Sequence, residues 1–270
     1  MTKRSSRYMG GIIRGFTAIV LAAAIAAVVT AAGAFDSAAS TGTHGARPEI
    51  IRVATARHYP PFQFLDGNGK AQGYEADMWR LFQAHTGIHV ELLPMDWQAA
   101  QQAVLSGRAD VIDMIYRTPA REAQYGFSQP YASQPVGIYV ERGIRGVRDV
   151  ATLRGFPVGV LRGDACAERL QSMGLRYLQQ YGSYEEMIEA AVRGSLRIFC
   201  MDQHPADYYL YRDDAHDRFY RAFVLYTGEP RWGVRKGNLS MLHVVERGMA
   251  SITPDERAGL QARWLEHPTT

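Results

Sequence analysis

The residues of this 270-residue chain that could do chemistry fall into a few small groups. Tyr59, Tyr116, Asp164 and Asp202 each stand at or just past the end of a short apolar run. In an open α/β sheet that is where ligands bind, outside the carboxyl ends of the strands. Asp113 lies inside one such run, and Trp97 opens a helical segment. Arg121, in the stretch PAREAQ, reads by itself as a solvated helix charge, and Asp202 by itself reads equally as the cap of a helix before Pro205. His204, two residues after Asp202, offers an acid–base pair. His85 and His89 are four apart, but Gly87 interrupts them and no Glu follows the first His, so no zinc site is expected. The sequence has no Cys-x-x-Cys pair, no nucleophile elbow and no phosphate-cradling glycine loop, so neither metal nor cofactor is expected. Cys166 and Cys200 would bridge in an oxidising compartment, or else remain as two buried thiols.

The elements that must position these groups alternate between strand and helix. Strands are expected at Ile50–Thr55, Phe62–Leu65, Ile88–Leu93, Val111–Ile115, Val136–Val140, Pro157–Leu161 and Arg197–Met201. Helices are expected at Tyr74–His85, where Met78, Leu81 and Phe82 share a face, and at Trp97–Leu105, Gly163–Met173 and Pro205–Tyr211. Thr118-Pro119 opens a short helix with a hydroxyl cap and Pro in the first turn. Ser183-Tyr184-Glu185-Glu186 reads as a capping box, the Ser taking the amide of Glu186 and Glu186 reaching back to the cap amide. Thr253-Pro254 caps the last helix. This alternation argues for mostly parallel sheets flanked by helices.

At the N-terminus Lys3, Arg4, Arg7 and Arg14 precede an uncharged run from Phe16 to Phe35, with small residues at Ala32-Gly33-Ala34. Basic flank, apolar core and small cleavage site describe a secretory signal peptide over residues 1–34, or a membrane anchor if it stays uncleaved. Residues 35–48 read as a linker. Taking the four basic charges of the signal from the formal net charge of +3 leaves −1, so the basic balance gives no support for nucleic-acid binding. About 220 residues remain, enough for two lobes of about 100 each.

Several stretches resemble a known family. RVATARHYPPFQFLDGNGKAQGYEADMWRLF is similar to the opening of the periplasmic amino-acid-binding proteins, the family-three extracellular solute-binding proteins: a strand, Tyr-x-Pro-Phe, a Gly-Lys turn, then Gly-Tyr-Glu and a helix. LSGRADVIDMIYRTPAREAQYGFSQPY resembles their second motif, with Gly-x-x-Asp, an apolar strand, Thr-x-x-Arg and Phe-Ser-x-Pro-Tyr. VGVLRGDAC and FCMDQHPADYYL look like strand–helix units of a second lobe, and RWGVRKGN like the return strand.

The resemblance implies a type II periplasmic-binding fold. Lobe one would take residues 49–136 and 227–266, lobe two the inserted 137–226, with crossing strands as a hinge. It assigns Arg121 to a ligand carboxylate and Asp202 to a ligand ammonium, with Tyr59 and Trp97 as apolar walls. Some positions depart from the family pattern. Met114 and Tyr116 replace small hydroxyl residues, Gly163-Asp164-Ala165 replaces Gly-Thr-Thr, and Asp113 adds an acid. An Asp at a helix N-terminus repels an anion, so these changes point to a ligand with extra positive charge, a basic amino acid or polyamine. The expected protein is a periplasmic monomer that captures a small amino-acid-like ligand for an inner-membrane importer. The alternatives are a ligand sensor for a membrane signalling partner and, from relatives of this fold, an enzyme of the cyclohexadienyl dehydratase type.

Overall fold

The computed structural model describes residues 48–266. The export signal expected over residues 1–34 and nearly all of the expected linker lie outside them. Among the described residues no helix is long and apolar enough to cross a membrane.

The chain begins with β1 (Ile50–Ala56), β2 (His58–Tyr59), β3 (Gln63–Leu65), β4 (Ala71–Gln72), α1 (Tyr74–Thr86) and β5 (His89–Met95). Then come α2 (Trp97–Leu105), β6 (Val111–Tyr116), α3 (Pro119–Glu122) and β7 (Tyr125–Phe127). A second group follows: β8 (Gln134–Glu141), β9 (Val158–Leu161), α4 (Ala165–Ser172), β10 (Leu178–Tyr181), α5 (Tyr184–Val192), β11 (Ile198–Asp202), α6 (Gln203–Arg212) and β12 (Phe219–Gly228). The chain closes with β13 (Pro230–Arg235), α7 (Leu239–Ala250) and α8 (Pro254–Trp264).

Two five-stranded sheets result, ordered β5-β1-β6-β13-β7 and β10-β9-β11-β8-β12, with a small β2-β3-β4 sheet beside the first. The chain leaves the first large sheet after Phe127, enters the second at Gln134, and returns between Gly228 and Pro230. Each large sheet is parallel on one side and antiparallel on the other. This is a mixed arrangement, finer than the mostly parallel sheets expected. In each sheet the strands joined through helices run the same way, whereas β8 and β13 arrive from the other sheet with no helix between and run the opposite way, so their pairs are antiparallel.

Each sheet buries its own apolar cluster. Trp79 and Phe82 of α1 pack with Ile51 and Val53 of β1 in one, and Leu170 of α4 packs with Val158 and Val160 of β9 in the other. A third cluster is shared, joining Trp97 and Ile112 to Tyr184 and Phe199. Helix α1 turns Met78, Trp79 and Phe82 inward, while Leu81 is only half-buried. Cys166 on α4 is bonded to Cys200 on β11, tying the helix to its sheet.

Helix starts follow local capping chemistry. Thr118 accepts the amide of Arg121, and Thr253 with Glu256 forms a full capping box. At α5 the box is half made: Ser183 accepts the Glu186 amide, but Glu186 bonds the amide of Gly182 rather than that of Ser183. Helix α6 starts at Gln203, two residues before the Pro expected to open it. A Pro within the first turn costs nothing there, because its missing N–H is one the helix leaves unpaired in any case.

Candidate functional site

The two sheets close on a small cavity of about 50 Å³. All seven residues expected at a ligand site line it: Tyr59, Trp97, Asp113, Tyr116 and Arg121 from the first-sheet side, and Asp164 and Asp202 from the second.

Asp202 is its chemical centre. It ends β11 at the N-cap position of α6, yet its side chain makes no cap bond. Its carboxylate instead accepts three phenol hydroxyls: Tyr116 at 2.7 Å, Tyr59 at 2.8 Å and Tyr184 at 3.0 Å. Tyr116 comes from β6 of the first sheet, Tyr59 from β2 of the small sheet beside it and Tyr184 from α5, so the carboxylate gathers both sides of the cavity. Gly228 makes room for this. A Cβ there would lie 2.5 Å from the Tyr116 ring. Asp202 is 3% exposed. Burial, and then the charge of Asp164, push its pKa up to about 7 against the pull of the three hydroxyls. Burial also holds the phenols of Tyr59, Tyr116 and Tyr184 well above their ordinary range, so they remain donors.

Asp164 caps α4, its Oδ1 accepting the Ala165 amide at 2.7 Å, and its other oxygen lies 3.3 Å from the Tyr184 hydroxyl. Burial raises its pKa too. Asp113 belongs to the first-sheet framework. Its oxygens accept from Trp79 Nε1 at 2.8 Å, the Tyr131 hydroxyl at 3.0 Å and the Met114 amide at 2.8 Å. Burial raises Asp113 and the Glu75 carboxyl beside it. Met114, on the cavity wall, holds φ at +53°, a conformation costly for a side-chain-bearing residue inside a strand.

Arg121 is 4% exposed; both Nη atoms donate to protein carbonyls, and Nε is buried without a hydrogen-bond partner. Nη1 donates to the Tyr116 carbonyl at 2.9 Å and Nη2 to the Gly163 carbonyl at 2.8 Å. Nε lies 3.2 Å from a Glu168 oxygen in an ion pair. The guanidinium sits 5.8 Å from the centre of the Trp97 ring, at the reach of a cation–π contact. Gly163 turns its carbonyl toward this group with φ of +72°, and Trp97 Nε1 and Gln101 Nε2 also donate to it, at 3.1 and 3.0 Å.

Four further residues belong to the site without having been singled out in the sequence. Tyr184 bonds Asp202, and Glu168 pairs with Arg121. Thr55 and Gln63 line the cavity, and the Thr55 hydroxyl and both Gln63 amide atoms are buried without a hydrogen-bond partner. The signal for Tyr184 was its place at the start of a capped helix just after a strand. Thr55 and Gln63 carried none. His204, which the sequence offered as an acid–base partner of Asp202, does not pair with it. Its Nδ1 meets Gln134 Oε1 at 2.6 Å and its ring packs edge-on to Phe62, while Asp202 takes only tyrosine hydroxyls. Among the described residues no cluster of His, Cys, Asp or Glu has the arrangement of a metal site.

The sequence profile of the bacterial extracellular solute-binding proteins, family 3, matches residues 51–267. The virulence sensor protein BvgS of Bordetella pertussis is 26% identical over 221 residues, 80% of this chain but only 18% of BvgS. The L-cystine-binding protein TcyJ of Escherichia coli is 26% identical over 219 residues, 77% of this chain and 79% of TcyJ. In three dimensions the chain is similar to a histidine kinase sensor domain described as resembling periplasmic binding proteins. That match has a TM-score of 0.76 and 24% identity, and covers 81% of this chain and 97% of that one.

Proposed function

The chain belongs to the bacterial extracellular solute-binding proteins, family 3, and we propose that it captures a small, amine-bearing, amino-acid-like ligand in the periplasm and delivers it to a membrane importer. Capture is by closure of two lobes, residues 49–136 with 227–266 and the inserted 137–226, about the strand crossings near Gly228. The observation that carries this reading is Asp202: a buried carboxylate at the seam, bonded by neutral hydroxyls from both sides and, among the described residues, in no ion pair with a protein cation. A ligand ammonium supplies the missing charge. Three hydroxyls leave it about one of its four lone-pair positions to bind with. Tyr59 and Trp97 wall the ligand. A cavity of about 50 Å³ is too small to admit an amino acid while shut, so entry requires the sheets to part. Contacts made only in the shut form are what drive closure.

A second reading, a sensor that presents its closed form to a membrane signalling partner, is favoured by the likeness to BvgS and to the kinase sensor domain. Both readings need the same ligand event. The test is a thermal-shift screen of amino acids, polyamines and carboxylates. A true ligand at 100 times its dissociation constant stabilises by about 2.7 kcal/mol. A panel in which carboxylates without an amine give the only shifts refutes the reading.

A further inference from the structure

We infer that Glu168 stands in for the ligand's carboxylate on Arg121, so that the site selects cationic amines lacking an α-carboxylate over the matching amino acids. The inference rests on the proposed capture of an amine at Asp202 and narrows its ligand class.

The argument is one of charge and vacancy. A guanidinium fork recognises a carboxylate through paired N–H donors. In this protein both Nη atoms already donate to main-chain carbonyls, of Tyr116 and of Gly163 across the seam. The remaining edge, at Nε, pairs in charge with Glu168 at 3.2 Å without making a hydrogen bond, with the arginine side chain 4% exposed and the glutamate 30%. Glu168 and the Gly163 carbonyl reach Arg121 only when the two sheets meet, so on closure a ligand carboxylate at Arg121 would compete with both. It would gain no net charge by doing so and would come within the field of Asp164, at the adjoining helix start. Asp202 is in the opposite condition. Its three partners are neutral, so they orient the carboxylate without cancelling its charge. Counted over the cavity wall, Arg121 pairs with Glu168 and its charge also reaches Asp164, while Asp113 and Asp202 have no salt-bridge partner among the described residues. Such a wall takes positive charge and repels negative. The unpartnered Thr55 hydroxyl and Gln63 amide add uncharged hydrogen-bonding capacity of the kind a second amine or amide can use.

The test compares ligand pairs that differ only by the α-carboxylate: agmatine with arginine, and cadaverine with lysine. Each is titrated calorimetrically into the full-length protein and into the Glu168→Gln variant. The glutamine keeps the size of a partly exposed helix residue. Wild-type protein is expected to bind the decarboxylated member of at least one pair tenfold or more tightly, and Glu168→Gln to move that preference tenfold or more toward the amino acid. Wild-type preference for the amino acid overturns the inference and leaves ligand capture standing. A preference for the amine that Glu168→Gln does not change overturns the assignment to Glu168. Binding of neither pair, with a ligand found elsewhere in the screen, overturns the inference alone. No binding of any amine overturns the capture reading along with it.

Discussion

Replacing Asp202 by Asn should make the unliganded protein more stable above neutral pH. The carboxyl is held at about 7, against an ordinary value of 3.8, chiefly by burial and then by the charge of Asp164. With the higher pKa in the folded state, the folded protein holds this proton more tightly than the unfolded chain. The stability it contributes is therefore complete below about pH 4, and it is lost as the pH rises through about 7. A gap of about three pH units is worth about 4 kcal/mol at most, and charge coupling to Asp164, itself raised by burial, brings it to roughly 2. Asn keeps the shape and can exchange hydrogen bonds with the three tyrosines, since each hydroxyl both donates and accepts. Asp202→Asn should thus escape the loss. At 2–4 °C of melting temperature per kcal/mol for a domain of this size, the variant at pH 8 should melt about 4–8 °C above wild type, with the gap narrowing toward pH 4. Thermal unfolding followed by circular dichroism from pH 4 to pH 9 measures this. A variant less stable than wild type at pH 8, or a gap that does not change with pH, would refute the account of Asp202 as a buried, uncompensated charge.

Other consequences follow from single contacts. Non-reducing peptide mapping of the exported protein should recover Cys166 linked to Cys200. Reduction, or Cys200→Ser, should cost about 3–4 kcal/mol for the loop of 34 residues closed, and two alkylatable thiols in native protein would contradict the bond. Gly228→Ala drives a methyl group into the Tyr116 ring. It should lower stability by about 1–3 kcal/mol and weaken ligand binding with it, both read in one thermal-shift series. Ser183→Ala removes the cap of α5 and should cost about 1 kcal/mol in chemical denaturation.

Much of the framework was legible in the sequence because it is set locally. Apolar runs bounded by glycine and capping residues marked β6, α2 and β11 to within a residue or so, and Thr118 caps its helix as its neighbours require. Strand ends pointed to Asp164 and Asp202. Whether Asp202 capped a helix or faced a cleft was open until the structure gave its carboxylate to three tyrosines from distant segments. Glu168 is invisible in the sequence for the same reason. Read locally, it is an acid in the first turn of α4, where the helix dipole favours one. Its pairing with Arg121 exists only because the two sheets meet. Thr55 and Gln63 likewise become notable only as buried groups without partners, a property of the tertiary fold. The mixed direction of the sheets was hidden because strand order depends on which connections carry helices, not on the composition of the strands.

The claim at the centre of this account is that Asp202 holds a ligand's positive charge. Isothermal titration of the strongest ligand from the screen into wild-type protein and Asp202→Asn at pH 8 tests it most directly. The account predicts a loss of about 2–5 kcal/mol in the variant, about thirtyfold or more in affinity, for removal of a buried charge partner. Equal affinity in the two proteins would contradict it.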